Sequence, residues 1–436
     1  MKNKTRYNRK GFALVLALLT TSISLILMMA YISRVVSDYR FTAKIYSSTV
    51  ALDLAEAGAE RALWEIIHNS SAFTGWSYTI DAHGNKAYFV AVNLFKTSSG
   101  NTMGDYDTSV LIPAGGMTAT ITSVGYSPRK ISYDSKRTVK VAYARHNFPI
   151  GIGASGTAGI TLGTQGKIDS YNSANGTYAS THTNSNGNIS TNGPINFGTQ
   201  AKVWGDAHPG AAYPFSSQPS NVSGSWGTLQ APLVIDPIPQ SALNAACFPT
   251  GNSNANIIKG NSADPSPLIG NALTLGTQKT VTLPGGTYYF SSITLGTQAR
   301  MTVTGPSIIY VDGGNVSIGT QADLNINAGV ATTFYIAGGN MTVSTQGDIN
   351  NLGAPKNLMI YSTGNIINLV TQTDLYAAIY APNAAINLTT QGDIFGSVMC
   401  KSFVSGTQAG VHFDMDLLNV SPVFASSGVT YWQETQ

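Results

Sequence analysis

From Phe12 to Ile32 the chain reads FALVLALLTTSISLILMMAYI, with no charge, glycine or proline. About 20 such residues at ~1.5 Å each cross a bilayer core of roughly 30 Å. Neither Gly nor Pro occurs from there until Gly58. Val36, Tyr39, Ala43, Tyr46, Val50, Leu54, Ala57, Leu63 and Ile67 recur at mostly three- or four-residue steps, an apolar stripe at helical period. The pattern predicts one helix from Phe12 to about His68, ~85 Å long, apolar all round in its first third and amphipathic after that. A secretory signal peptide has a shorter apolar core followed by a cleavage site, and this run is too long for one.

From Ser70 to about Phe148 the period changes to two. Residues 86–93 (KAYFVAVN), 117–124 (MTATITSV) and 137–143 (RTVKVAY) alternate apolar and polar positions, separated by turn-rich segments. They predict half-buried antiparallel strands. Beyond Gly151 a repeat takes over, apolar-x-Thr-Gln-x-x-apolar, with Gln at 165, 200, 278, 298, 321, 346, 372, 391 and 408. From Gln278 the spacings are 20, 23, 25, 26, 19 and 17 residues, about one turn of a parallel β-helix. Turns of that kind stack ~4.8 Å apart over a shared core, and nine would make a rod ~40 Å long. The residues flanking Thr-Gln point inward. Gln165, Gln200, Gln278, Gln298, Gln321, Gln346, Gln372, Gln391 and Gln408 are expected to form a structural amide ladder. The Ser-, Asn-, Pro- and Gly-rich stretch 205–270 breaks the rhythm and reads as a long insertion that leaves the rod and covers part of it.

Two strings carry a family resemblance: Arg9-Lys10-Gly11-Phe12-Ala13-Leu14-Val15-Leu16, and Asp53-Leu-Ala-Glu-Ala-Gly-Ala-Glu60. Together they resemble the type IV pilin superfamily, and the string at 53–60 is similar to the AEAG stretch of PilX-type minor pilins. The resemblance covers about the first 70 residues. It implies a leader over residues 1–11, prepilin peptidase cleavage between Gly11 and Phe12 on the cytoplasmic side, and N-methylation of Phe12. It also implies a small sheet that buries the C-terminal half of the helix. Most major pilins carry Glu at the fifth mature position, where this chain has Leu16. That departure argues against a bulk filament subunit and for a minor or tip position. The segment from Ile379 to Asp414 resembles an uncharacterised β-solenoid domain often fused behind PilX-type N-termini, which has no established activity to carry over. Its usual corner is Gly-Asn where this chain has Thr-Gln.

Composition refines this reading. Charged residues are 10%, against roughly 25% in typical soluble domains, and there are 45 glycines, which suits β structure rich in turns. The formal charge of +3 includes five basic residues of the leader, so the mature chain has 19 basic against 21 acidic groups. Nothing in that balance points to nucleic acid. Cys247 and Cys400 are the two cysteines. An oxidising exterior would permit a disulfide between them, and two buried thiols are the alternative.

Two residues after each Gln the copies read Lys167, Lys202, Thr280, Arg300, Asp323, Asp348, Asp374, Asp393 and Gly410. Four successive copies thus place Asp in one row, read as a solvated edge with weak cation binding at most, since a calcium site needs roughly six to eight oxygens. His412 and Asp414 read as capping hydrogen bonds ahead of a metal site. One Thr beside Gln at a corner reads as structural, not as the flat doubled Thr face of an ice-binding solenoid. Trp76, Trp204, Trp226 and Trp432 are able to stack on sugars, with a buried or interface role as the default. No nucleophile-elbow, Walker or dinucleotide motif occurs, and neither a cofactor nor catalysis is expected.

The expected architecture is mainly β with a long N-terminal helix. It runs as leader (1–11), transmembrane and pilin-type helix (12–69), small antiparallel β domain (70–149), then right-handed parallel β-helix (150–436). The expected function is a minor pilin or pseudopilin-like subunit of a type IV pilus or related secretion filament, displaying an adhesive module. It sits in the inner membrane with its N-terminus cytoplasmic before assembly, then in a filament at the cell surface. Its expected partners are other pilin subunits, the prepilin peptidase and a surface glycan or protein. The alternative is a polysaccharide lyase or hydrolase carried on a pilin anchor.

Overall fold

The structure is a computed structural model that describes residues 9–68, 73, 75–80, 86–96, 100, 102–112, 118–144, 148, 150–229, 232–350, 353–420 and 428–435. One α-helix, Arg9–His68, is followed by a chain that is mostly β. Its 60 residues span ~90 Å. Residues 14–46 are exposed along their whole length, whereas Ser47–Ile66 carries the buried positions. Ala51, Ala55, Ala59 and Ala62 are fully buried. They share one helical face and let the sheet approach closely. Gly58 completes that face: a Cβ there would lie 2.3 Å from the hydroxyls of Thr108 and Ser123. The Ala-Glu-Ala-Gly-Ala string is therefore the contact surface between helix and sheet.

That sheet is antiparallel, in the order Ser77–Ile80, Lys86–Lys96, Thr102–Ile112, Thr118–Ser127, Ser135–Ala144, Gly428–Thr435. The last strand corrects the expected boundary. Residues 428–435 belong with the N-terminal sheet, where Trp432 pairs with Val141, and not with the repeats. The repeat region is thus inserted between the fifth and sixth strands of the small sheet.

Within the repeat region the strands form three columns of parallel pairs. One strand precedes each Thr-Gln, one follows it, and a third closes the unit. Leu273 pairs with Ile293, Ile293 with Val316, and Val316 with Met341 before the corner. Val281, Met301 and Leu324 pair after it. Tyr289, Tyr310, Tyr335, Tyr361 and Tyr380 pair in the third column. The alternate residues Leu275, Leu295, Ile318, Val343, Leu369 and Leu388 point into a common core with Val281, Met301 and Leu324. Alternation of apolar-in and polar-out positions builds that core layer by layer.

The order of layers differs from the order in sequence. The unit of Gln165 stacks on the unit of Gln408, through Lys167 beside Gly410 and Ile160 beside Phe403. The unit of Gln200 stacks beyond it. The chain therefore starts near one end of the stack, crosses to the other and winds back.

The crossing is made by part of the 205–270 stretch. Its first residues still stack, since Ala207 pairs with Ile189, Val203 bridges to Val222 and Ala207 to Trp226. Leu233, Ile235, Ile238, Leu243 and Ala246 then lie on the outer face of the third column, over Tyr310, Tyr335, Tyr361 and Tyr380. The Tyr380 hydroxyl donates to the Asp236 carbonyl at 2.8 Å. Finally Ile258–Lys259 and Leu268–Ile269 pair antiparallel with Thr280–Leu283 and Ala272–Leu275. They cover the open strand edge of the far layer, which would otherwise template pairing with another chain.

Candidate binding groove

Each Gln of the repeat holds a left-handed backbone, with φ from 56° to 60°. A side chain at that φ costs roughly 1–2 kcal/mol, which is why Gly and Asn are the usual occupants. What the corner gains is the turn. Every Gln N–H except that of Gln200, in the last layer, donates to the Thr carbonyl of the next layer, as Gln346 does to Thr371 at 3.0 Å. The amides then link in one direction. Nε2 donates to the next Oε1 from Gln278 to Gln298 (2.8 Å), to Gln321 (3.0 Å), to Gln346 (3.1 Å) and to Gln372 (3.1 Å). The row continues to Gln391 (3.4 Å), Gln408 (3.1 Å), Gln165 (2.9 Å) and Gln200 (3.0 Å). All nine side chains are exposed. Their amides stand in water, so each link is worth less than a buried one.

Beside the ladder runs the second row, and the layer order changes its meaning. Along the stack it reads Thr280, Arg300, Asp323, Asp348, Asp374, Asp393, Gly410, Lys167, Lys202. Arg300 pairs with Asp323 at 2.9 Å, and the Asp374 N–H donates to Asp348 at 3.3 Å. Burial, with the charges of Asp393 and Asp348, pushes the Asp374 carboxyl up to about 6. Ladder and acidic row together line an open groove from Arg300 to Asp393. Among the described residues no group of three or more His, Cys, Asp or Glu side chains is arranged to hold a metal ion.

At Gly410 the row loses its side chain and the groove deepens. Gln408, Ala409 and Gly410 meet Lys167, Lys202, Trp204, Tyr178, Asp393 and His412 there. A Cβ on Gly410 would lie 2.9 Å from Asp393 Oδ1 and 3.0 Å from His412 Nε2, so a side chain there would press on both groups. His412 is 4% exposed; its Nδ1 bonds to Asp169 Oδ1 at 2.5 Å and its Nε2 lies 3.5 Å from Asp393. Burial alone pushes its pKa down. The hydrogen bonds and charges of Asp169 and Asp393 outweigh that and hold it at about 9, so the ring is cationic at neutral pH. The Tyr178 hydroxyl donates to Asp169 at 2.7 Å, and its ring lies 4.2 Å from that of His412. Phe395 stacks on His412 at 4.8 Å and meets the Tyr178 ring edge-on at 5.3 Å, so the three rings form a triangle, and Tyr376 stacks on Phe395 at 4.1 Å.

The remaining sequence candidates are dispersed. Asp414 is a cap, accepting from the Ser173 N–H and hydroxyl and from the Asp416 N–H, and it does not meet His412 in one site. The cysteines are both free, which corrects the disulfide option. Cys400 points into the inner core, whereas Cys247 packs outside the third column with the crossing segment, so a wall of strands lies between them. Burial pushes both thiols up. Trp76 is buried under the small sheet and Trp226 packs against the stack. The Trp432 side chain is outside the described residues. So is the side chain of Phe12, and the backbone of Gly11 and Phe12 is helical. Leu16 stands 53% exposed on the bare part of the helix.

Sequence reasoning missed the Gly410 pocket. In sequence order Lys167 and Lys202 precede Thr280, which places them at the wrong end of the row. The signal that finds them is the same repeat position, once the early copies are stacked after the last.

Comparisons with known proteins add the following. Residues 251–420 match a family described as a domain of unknown function, DUF7305. No curated protein matches the chain. Among solved structures, the competence-associated pilin ComZ from Thermus thermophilus is similar at 14% identity and a TM-score of 0.34, over 89% of this chain and 97% of that one. An ice-binding protein (LeIBP) from Arctic yeast is similar at 13% identity and a TM-score of 0.31, over 64% of this chain and 95% of that one.

Proposed function

We propose that the chain is a pilin-like filament subunit, a minor pilin or pseudopilin of a type IV pilus or related secretion filament. It displays its inserted repeats, a right-handed parallel β-helix, as a binding or adhesive module. One observation carries this reading: the division of the helix. One face of residues 47–66 is buried by the small sheet, while residues 14–46 project bare. The uncharged part of that bare stretch, residues 14–32, is an apolar surface of a length not left in water; a bilayer covers it before assembly and neighbouring helices after it. Lys2, Lys4, Arg6, Arg9 and Lys10 keep the N-terminus cytoplasmic by the positive-inside rule. Leu16 in place of Glu supports a minor or tip position. The partners are then other pilin subunits, the prepilin peptidase, the inner membrane and a surface glycan or protein.

The test is mass spectrometry of the chain recovered from sheared filaments. The expected mature N-terminus is Phe12, methylated, and Gly11→Glu is expected to leave full-length chain in the membrane. A mature chain that begins elsewhere, or that never enters filaments, sinks the proposal.

A polysaccharide-cleaving enzyme on a pilin anchor is the alternative reading, favoured by one observation. Asp374 and Asp393 are register neighbours, ~4.8 Å apart along the stack, with the Asp374 carboxyl held at about 6. Retaining glycosidases set two carboxylates about 5 Å apart, one of them with a raised pKa. Release of reducing ends from polysaccharide, abolished by Asp374→Asn, would replace the binding reading with this one.

A further inference from the structure

The row of charges changes sign at Gly410. On one side lie Asp393 and Asp374, on the other Lys167 and Lys202, one layer apart. Among the described residues the two lysines have no carboxylate partner. The Lys167 ammonium makes no ion pair or hydrogen bond there, and the Lys202 ammonium reaches only the Ser220 carbonyl at 2.8 Å and the Trp204 ring at 5.9 Å. The two lysines are register neighbours on adjacent strands, their like charges repel, and the arrangement favours an anion set between them. The His412 cation does not supply that need in reverse, because Asp169 already neutralises it.

The rest of the pocket has a different chemistry. Trp204 is half-buried and lines the pocket with Tyr178, offering apolar ring surface beside the ammonium groups. The Gln165 and Gln408 amides each spend one N–H and one lone pair on the ladder, which leaves an N–H and a lone pair for a ligand, and Gln200 at its end only accepts. Ring surface flanked by amides and carboxylates suits a pyranose, whose C–H face packs on an aromatic and whose hydroxyls bond to amides and carboxylates. Beyond Gly410 the four carboxylates accept from hydroxyls and repel anions. A polyanion such as a nucleic acid or polyuronate therefore fits the lysine end and fails over the aspartates.

We infer that the Gly410 pocket binds a saccharide carrying a single anionic sugar at its terminus. The anionic group sits between Lys167 and Lys202, the sugar ring lies against Trp204, and the neutral residues run toward Asp393 along the Gln ladder. This rests on the reading of the repeats as a displayed binding module. It adds a ligand class and an orientation to it.

The test is calorimetric titration of the full chain in detergent with three probes: 3′-sialyllactose, lactose and trigalacturonate. Sialyllactose is expected to bind at least about tenfold more tightly than either of the others, with an affinity that falls as salt rises. Lactose lacks the anion, and the second and third carboxylates of trigalacturonate face the aspartates. Lys167→Met is expected to remove the preference for sialyllactose over lactose and Lys167→Arg to restore it, while Lys140→Met, an exposed cation on the small sheet, changes nothing. Asp393→Asn is expected to raise trigalacturonate affinity selectively. No binding of sialyllactose, equal affinity for lactose, or an unchanged preference in Lys167→Met would overturn the inference. Recovery from filaments is scored on the same protein. A chain that enters filaments but ignores sialyllactose sinks only the ligand assignment, and one that binds it but never enters filaments sinks only the filament reading.

Discussion

Truncation of Gln346 and Gln372 probes the ladder, and the layer order allows its size to be worked out. Gln346 accepts from Gln321 and donates to Gln372, both at 3.1 Å, and Gln372 donates onward to Gln391 at 3.4 Å. An exposed side-chain hydrogen bond contributes about 0.5 kcal/mol net, the low end of the range. Gln346→Ala loses two links, about 1 kcal/mol, and keeps the left-handed strain, because alanine also has a Cβ. The double alanine variant loses three links and not four. Its loss is about 1.5 kcal/mol, short of the sum of the singles by the one link they share. Gln346→Gly loses the same two links but relieves about 1 kcal/mol of strain at φ 58°, so it is expected to be near neutral. A repeat array opens locally, so the assay is amide exchange of the layers around Ile349 and Leu375, alongside a melting curve in which about 1 kcal/mol moves Tm by roughly 2 °C. The full chain in detergent is the right sample, because a fragment starting at residue 150 strands Gly428–Thr435 without its partner Ser135–Ala144. Unchanged exchange and melting in both alanine variants would show that the ladder holds nothing. A glycine variant less stable than the alanine one would show that the corner is not strained.

Further outcomes follow from the charged row. The His412 pKa of about 9 lies above the unfolded value of 6.5, so its contribution is complete below pH 6.5 and is lost as pH rises through 9; about 3 kcal/mol of stability should disappear over that window in the wild type and not in His412→Asn. Asp374, raised to about 6, favours the fold when protonated, so stability falls as pH rises from about 4 to 6, and Asp374→Asn is expected to be more stable at pH 7 with no advantage at pH 4, as read by thermal melts. Calcium is expected to stabilise the chain no more than magnesium at equal ionic strength, and a many-degree rise in micromolar calcium that Asp348→Asn abolishes would make the row a calcium site.

The helix was fully legible because its signal is local. An uncharged run followed by a three-and-four stripe leaves no other element of that length. The small sheet was legible where alternation is clean. It was missed at Thr102–Ile112, where Gly104, Asp105 and Asp107 interrupt the pattern. Asp105 is 2% exposed there and accepts the Lys130 N–H at 2.8 Å, so a polar residue sits inside. It was also missed at Gly428–Thr435, whose partner strand Ser135–Ala144 lies far back along the chain, on the other side of the whole repeat region. The Thr-Gln repeat gave two of the three columns. The third has its own period in Tyr289, Tyr310, Tyr335, Tyr361 and Tyr380, whose rings stand 5.3 to 6.4 Å from their neighbours. That row faces outward and forms an apolar surface without a cover until the crossing segment is laid on it.

The order of layers was not legible, and the reason bears on function. A repeat fixes which residues are equivalent but not which copies are neighbours, since any copy presents the same edge to any other. Here the choice is set by the caps. The layer of Gln278 is closed by Ile258–Lys259 and Leu268–Ile269, which arrive from the crossing segment, so no earlier copy can stack there. The copies of Gln165 and Gln200 are left the other end. Ser405, which replaces the inward apolar residue of the last copy, fits that junction: its hydroxyl accepts the Gly163 N–H at 3.2 Å. Had the two early copies stacked before Gln278, Lys167 and Lys202 would stand beside Thr280 and Arg300 as a plain basic end, and Gly410 would face solvent. Stacked where they are, they bring two cations without carboxylate partners against a buried His–Asp pair and the end of an acidic row. The mixed pocket is a product of topology, made from residues that are ordinary one repeat at a time.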